Sequence, residues 1–166
     1  MLNLMVMRHG KSDWDAESSD DHSRPLNTRG KQSAERMGVV LRELGLIPEL
    51  VVSSTALRAR STAELARISG GWDSRLVLDE DLYGASVRET LAVAAHHGGS
   101  ASRIMLVGHQ PTWGMVIAHL TGSHAEMRTA TVADIEVHAE SWDDVGQSRG
   151  ALVSLLQART FMHGTE

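Results

Sequence analysis

Cysteine is absent from the 166 residues, which excludes a disulfide framework and denies the chain a thiolate nucleophile. Phe and Tyr occur once each, so aliphatic side chains and eight Met must fill most of the core. No stretch approaches the roughly 18 apolar residues of a membrane span, and the first apolar run is too short and wrongly flanked for a signal peptide. An excess of positive charge is also missing. The net charge of −5 argues against nucleic acid or an anionic membrane as the main partner. No repeat, low-complexity tract or linker divides the chain. With 42% hydrophobic and 22% charged residues, it reads as one cytoplasmic globular domain spanning 1–166.

The features that are present begin with Leu2 to Ser12. Leu2, Leu4, Met5, Val6 and Met7 form an apolar run broken only by Asn3, and it stops at Arg8-His9-Gly10. This is a buried strand that delivers a cation, an imidazole and a permissive backbone to one sheet edge. In open α/β sheets the carboxyl edge is where ligands bind. Lys11 to Asn27 comes next as a long polar surface loop carrying Asp13, Asp15, Glu17, Asp20 and Asp21. Arg29, just beyond the loop, is expected to organise it by pairing with nearby acids.

Thr28 then offers an N-cap, and Ala34, Met37, Val40, Leu41 and Leu44 carry a helical period closed by Gly45. Leu50-Val51-Val52 is a short strand leading through Ser53-Ser54-Thr55 into a helix from Ala56 to Ile68. A weaker strand at Leu76–Leu78 precedes the acidic run Asp79-Glu80-Asp81. Ser86 and Glu89 form a capping box for the next helix. Ile104–Val107 is the clearest later strand; it halts at Gly108-His109-Gln110-Pro111 before a helix from Thr112 to Leu120. Strands near Val132–His138 and Ala151–Ala158 complete the sheet, with Gly146–Gly150 as their hairpin loop. The alternation predicts a three-layer α/β/α sandwich with a mainly parallel central sheet.

Three strand ends share one grammar: an apolar run, polar residues, then a helix. The first delivers Arg8 and His9, the second leads to Arg58 one turn into its helix, and the third delivers His109. Parallel neighbours would bring all of them to one edge, near helix N-termini that favour anions. Arginine suits a phosphoryl group because its planar fork holds two oxygens at once. An imidazole with an ordinary pKa of about 6.5 is largely neutral near pH 7, and nearby arginines favour that form further. One His can attack phosphorus while the other contacts the equatorial oxygens.

These motifs, with Arg24-Pro25-Leu26-Asn27, Arg29-Gly30, Leu57-Arg58-Ala59, Thr62-Ala63 and Leu106 to Pro111, resemble the histidine phosphatase superfamily, of phosphoglycerate mutase-like fold. Within it the chain looks most like the short SixA-type phosphohistidine phosphatases. The resemblance implies that His9 is transiently phosphorylated, that Arg8, Arg58 and His109 hold the phosphate, and that no metal or organic cofactor takes part. A positioned acid for the leaving group would come from Asp79, Glu80 or Asp81; Glu80, three residues before Tyr83, matches the family position.

Other motifs are set aside. Gly10-Lys11-Ser12 copies the end of a P-loop, but Met5 stands where that motif requires glycine. Lys11 and Ser12 remain candidates for the pocket mouth. Asp13-x-Asp15-x-Glu17 lacks the glycine and terminal Glu of a calcium loop. Trp14, Trp113 and Trp142 are read as packing residues. The expected partner is a phosphorylated protein or a small phosphorylated metabolite, with inorganic phosphate as product. The chain has little length for a roof over the site, which suits phosphohistidine on a protein. A small-molecule phosphomonoesterase and a phosphate-binding module with little turnover are the alternatives. The loop from Asp13 to Asp21 is open to a role as a lid.

Overall fold

The central strands are near-continuous apolar runs because successive side chains leave a strand on opposite faces, and here both faces are covered. The computed structural model describes residues 1–162. Its elements run β1 (Leu2–Arg8), α1 (Thr28–Glu43), β2 (Leu50–Ser53), α2 (Leu57–Gly70), β3 (Arg75–Leu78), α3 (Val87–Gly98), β4 (Arg103–Gly108), α4 (Thr112–Thr121), β5 (Val132–Val137) and β6 (Gly150–Leu156). Short 3-10 turns cover Glu80–Leu82, Trp142–Gln147 and Ala158–Phe161.

The six strands lie in the order β3-β2-β4-β1-β5-β6. The first four are mutually parallel, whereas β5 runs antiparallel to β1 and β6 antiparallel to β5. Met5, Met7, Val51, Met105 and Val107 face α1 and α2; Leu4, Val6, Val52, Ile104 and Leu106 face α3 and α4. Full burial of such a side chain stabilises the fold by about 1.5–3 kcal/mol. The expected three-layer sandwich is therefore present, with its mainly parallel sheet of phosphoglycerate mutase-like form.

Local ends differ slightly from expectation. Asn27, not Thr28, caps α1: its side chain accepts from Gly30 N–H at 2.8 Å. Ser86 caps α3 as expected, accepting from Glu89 N–H at 3.2 Å. The link between β5 and β6 is longer than a hairpin turn, because the 3-10 turn at Trp142–Gln147 inserts buried Trp142 and Val145 against α3. Among the described residues no helix is long and apolar enough to cross a membrane.

The register places the site. Arg8 lies beside Gly108, and Ser53 lies beside Val107. The carboxyl ends of β1, β2 and β4 thus stop level with one another.

Candidate active site

Chain continuity beyond those strand ends sets the first groups. His9 N–H donates to Gly108 O at 3.0 Å, extending the pairing of β1 with β4 by one residue. Gly10 then passes so close to α1 that a Cβ would lie 2.6 Å from Gly30 O, and a Cβ on Gly30 would collide with Lys11 O. Only glycine fits at either position. Gly10 N–H donates to Thr62 Oγ1 at 3.0 Å, and that hydroxyl donates to Arg58 O at 2.7 Å. The end of β1 is thereby tied to the first turns of α2, where Arg58 sits.

Arg8, His9, Arg58 and His109 all line one cavity of about 910 Å³. The loop after β1 supplies Lys11, Ser12 and Trp14 to the same walls. Among the described residues six cations line it, counting Arg8, Lys11, Arg24, Arg29, Arg58 and Arg128, against the single carboxylate of Asp21. In a chain of net charge −5 this concentration of positive charge marks an anion site.

The imidazoles are neutral by construction. His9 Nδ1 lies 2.6 Å from Gly10 O. A carbonyl oxygen only accepts, so Nδ1 carries the proton and Nε2 keeps its lone pair. Burial pushes His9 down to about 4; the Gly10 bond opposes this, while Arg58, Arg8 and Arg24 reinforce it. Burial also pushes His109 down to about 3, helped by its neighbours His9 and Arg58. His109 Nε2 shares a 2.9 Å hydrogen bond with Ser54 Oγ, and the two rings stand 5.3 Å apart.

Arg24 and Asp21 enter the cavity from the polar loop. The loop is pinned at its base, where Asp13 N–H donates to Pro25 O and Asn27 N–H to Lys11 O, and further out, where Leu57 N–H donates to His22 O. Buried Arg24 donates from Nε to Ser12 Oγ at 3.1 Å, with its guanidinium 3.6 Å from the Trp14 ring centre. Asp21 accepts from Arg24 Nη1 at 2.6 Å, from Arg58 Nη2 at 3.0 Å and from the Tyr83 hydroxyl at 2.6 Å. Its backbone oxygen accepts from Arg58 Nη1 at 2.7 Å. The Tyr83 bond first, then those from Arg24 and Arg58, hold the Asp21 carboxyl well below the usual carboxylate range.

The structure does not bring Glu80 to this cavity. Glu80 opens a 3-10 turn that buries Leu82, and its own side chain is exposed and outside the lining residues. Asp79 instead pairs with His97 Nε2 at 2.7 Å, and Asp81 lines a separate small cavity with Glu89 and His96. Arg29 also departs from expectation: it makes no side-chain hydrogen bond or ion pair among the described residues. Lys11, Ser12 and Trp14 do line the cleft, whereas Trp113 and Trp142 are buried. Among the described residues no three His, Asp or Glu are grouped to hold a metal ion.

Comparison with known proteins accords with this geometry. Residues 4–87 match the model of the histidine phosphatase superfamily (branch 1). The chain belongs to the histidine phosphatase superfamily. An uncharacterised Mycobacterium tuberculosis protein is 34% identical over 158 residues, covering 89% of this chain and 96% of that protein. A Nakamurella multipartitia chain assigned as phosphohistidine phosphatase SixA is 27% identical and superposes with a TM-score of 0.82, over 94% of this chain and 95% of its own. A mycobacterial glucosyl-3-phosphoglycerate phosphatase, 18% identical, shares the fold at a TM-score of 0.69 over 92% of this chain and 97% of its own. Together the family and its neighbours make this protein a phosphatase.

In this histidine phosphatase the anion cavity already holds an anion of its own. Both terminal nitrogens of Arg58 are engaged by Asp21, so an incoming phosphate meets a carboxylate on the same guanidinium. Replacing Asp21 by Asn keeps the shape and removes the charge. Calorimetric titration with inorganic phosphate is expected to show binding tightened roughly tenfold, about 1.4 kcal/mol. Equal or weaker binding would mean that the carboxylate aligns the arginines more than it competes.

Proposed function

We propose that this chain hydrolyses phosphohistidine on a protein through a phosphorylated His9. The observation that carries the reading is the Nδ1 contact to Gly10 O, which leaves Nε2 as a free lone pair in a cavity lined by arginines. In the first step Nε2 attacks phosphorus and the bond from phosphorus to the substrate imidazole breaks. Its electron pair stays on the departing nitrogen, which takes a proton from water. Arg8, Arg58 and His109 face the equatorial oxygens, where charge spreads in the loose transition state. In the second step water attacks phosphorus, the bond to Nε2 breaks, and inorganic phosphate leaves.

The choice of a P–N substrate rests on the acid inventory. Among the described residues, the one carboxyl lining the cavity is Asp21, held ionised by its three donors and so unable to protonate a leaving group. An alkoxide needs that proton; an imidazole nitrogen is basic enough to acquire it from solvent. Turnover of a phosphohistidine-bearing protein against a panel of small phosphomonoesters, with EDTA present, tests the assignment. Preference for the phosphoprotein supports it. Preference for one small monoester makes the chain a metabolite phosphatase, and tight phosphate binding with no turnover makes it a binding module.

The buried imidazoles also set a pH dependence. Proton NMR titration of the His9 ring, assigned against the His9→Ala variant, is expected to show a midpoint near about 4 in place of the ordinary 6.5. Unfolded imidazoles take up protons at higher pH than these folded ones, so stability is lost as pH falls from 6.5 toward about 3. A His9 midpoint close to 6.5 would contradict a desolvated nucleophile.

A further inference from the structure

The positively charged lining does not end at the phosphoryl cavity. Arg29, Arg128 and Thr129 line that cavity and also a second one of about 230 Å³. Its remaining polar walls are Ser33, Thr131, Gln157 and Arg159. Among the described residues, three arginines and no carboxylate line it. They come from distant parts of the chain: Arg29 from the first turn of α1, Arg128 from the segment before β5, and Arg159 from the 3-10 turn after β6.

Their charges are largely unanswered. Neither Arg29 nor Arg159 has a side-chain hydrogen bond or ion pair among the described residues. Arg128 has a single 3.5 Å contact with Glu126, and both of these side chains are exposed, so the pair contributes little. Thr131 is fully buried, and its Oγ1 has no partner among the described residues. Cations gathered in this way repel one another until an anion joins them. The N-terminal turn of α1 adds to the same preference.

We propose that this second cavity is an anion subsite, so that the physiological substrate carries a carboxylate or second phosphate near the phosphoryl group that is removed. The inference rests on the reading that the first cavity holds the transferred phosphoryl group. With that group at His9, the rest of the substrate passes along Arg29 and Arg128 and places its second charge at Arg159. Two sources share this chemistry: an acidic side chain flanking a phosphohistidine, and the second phosphate of a small bisphosphorylated molecule. The wall thus reads what surrounds the phosphoryl group, whereas Arg8, Arg58 and His109 hold only the group itself.

Steady-state kinetics on the full chain tests this. Phosphoimidazole serves as the substrate without a second anion. Phosphohistidine peptides carrying Asp or Ala at each flanking position form one arm, and bisphosphorylated against monophosphorylated small molecules form the other. Wild type is expected to favour the second anion at least about fivefold in kcat/KM through KM, roughly the 1 kcal/mol of one favourable charge pair. Arg159→Gln is expected to erase most of that ratio, and 1 M salt to weaken it. Arg159 is exposed and has no side-chain partner among the described residues, so the substitution threatens no packing. A preference in the peptide arm identifies an acidic protein surface, and one in the bisphosphate arm a small molecule. A wild type indifferent in both arms, or an unchanged ratio in Arg159→Gln, overturns the subsite while leaving the phosphatase reading intact. Loss of turnover on every substrate, phosphoimidazole included, overturns the underlying reading and the subsite with it.

Discussion

Replacing His9 by Ala is expected to lower turnover at least about 10³-fold, the scale seen when a covalent nucleophile is removed, while inorganic phosphate still binds. The separation comes from what His9 does and does not touch. Its Nδ1 is committed to Gly10 O, and its Nε2 offers a lone pair but no proton. An unprotonated nitrogen contributes nothing to holding a phosphate oxygen, so affinity should rest on the arginines. Removing the imidazole deletes the bond-forming atom and leaves Arg8, Arg24 and Arg58 in place. The intermediate gives a second, independent readout. Phosphohistidine is hydrolysed by acid and survives alkali, so single-turnover samples quenched in alkali should carry radiolabel from a phosphorylated substrate, whereas His9→Ala should carry none. Label persisting in the variant, or turnover within tenfold of wild type, would move the nucleophile elsewhere.

Some parts of this site are readable in the sequence, and the structure explains why. Strand ends are legible because an apolar run stops abruptly, and the residues just past the stop lie at the sheet edge. Arg8-His9 after Met7 and Gly108-His109 after Val107 carry that signal, and the parallel register of β1, β2 and β4 makes the edges coincide. Arg58 is legible for a related reason: it sits one turn into the helix that succeeds such an edge. The loop from Lys11 to Asn27 has no such grammar. Asp21 reaches its partners across 37 residues to Arg58 and 62 to Tyr83, separations that no local pattern encodes. The nearest local hint is the three-residue spacing of Asp21 and Arg24, which matches their ion pair. Glu80 fails in the opposite way. The tight turn at Glu80–Leu82 spends its inward position on Leu82, leaving Glu80 facing solvent and Tyr83 at the cavity wall. A one-residue phase difference in a short turn decides that outcome, and the neighbouring sequence does not contain it. Arg29 misleads because Asp21, which lines the same cavity, pairs with Arg24 and Arg58 instead. Its true neighbours, Arg128 and Arg159, are brought beside it only by β5 and β6.

Arg58 is the residue whose loss should have the next largest effect. Arg58→Ala is expected to reduce kcat/KM by about 10² to 10³, the usual scale for removing one preorganised donor to transition-state charge. The side chain is buried, its Nε has no partner among the described residues, and both terminal nitrogens point to Asp21. Such a guanidinium is desolvated before substrate arrives and offers its remaining N–H groups without reorganisation. Arg58→Lys should recover only part of the loss, because an ammonium keeps the charge and loses the planar fork. Asp21 makes the prediction sharper. If the carboxylate and the phosphate compete for Arg58, Asp21→Asn tightens phosphate in wild type but gains little once Arg58 is gone. The double variant Arg58→Ala/Asp21→Asn should then depart from additivity, as expected for groups in direct contact. Additive effects would mean that Asp21 acts through Arg24 or Tyr83 and not through Arg58. A single Arg58→Ala variant within threefold of wild type would remove Arg58 from the phosphate site altogether.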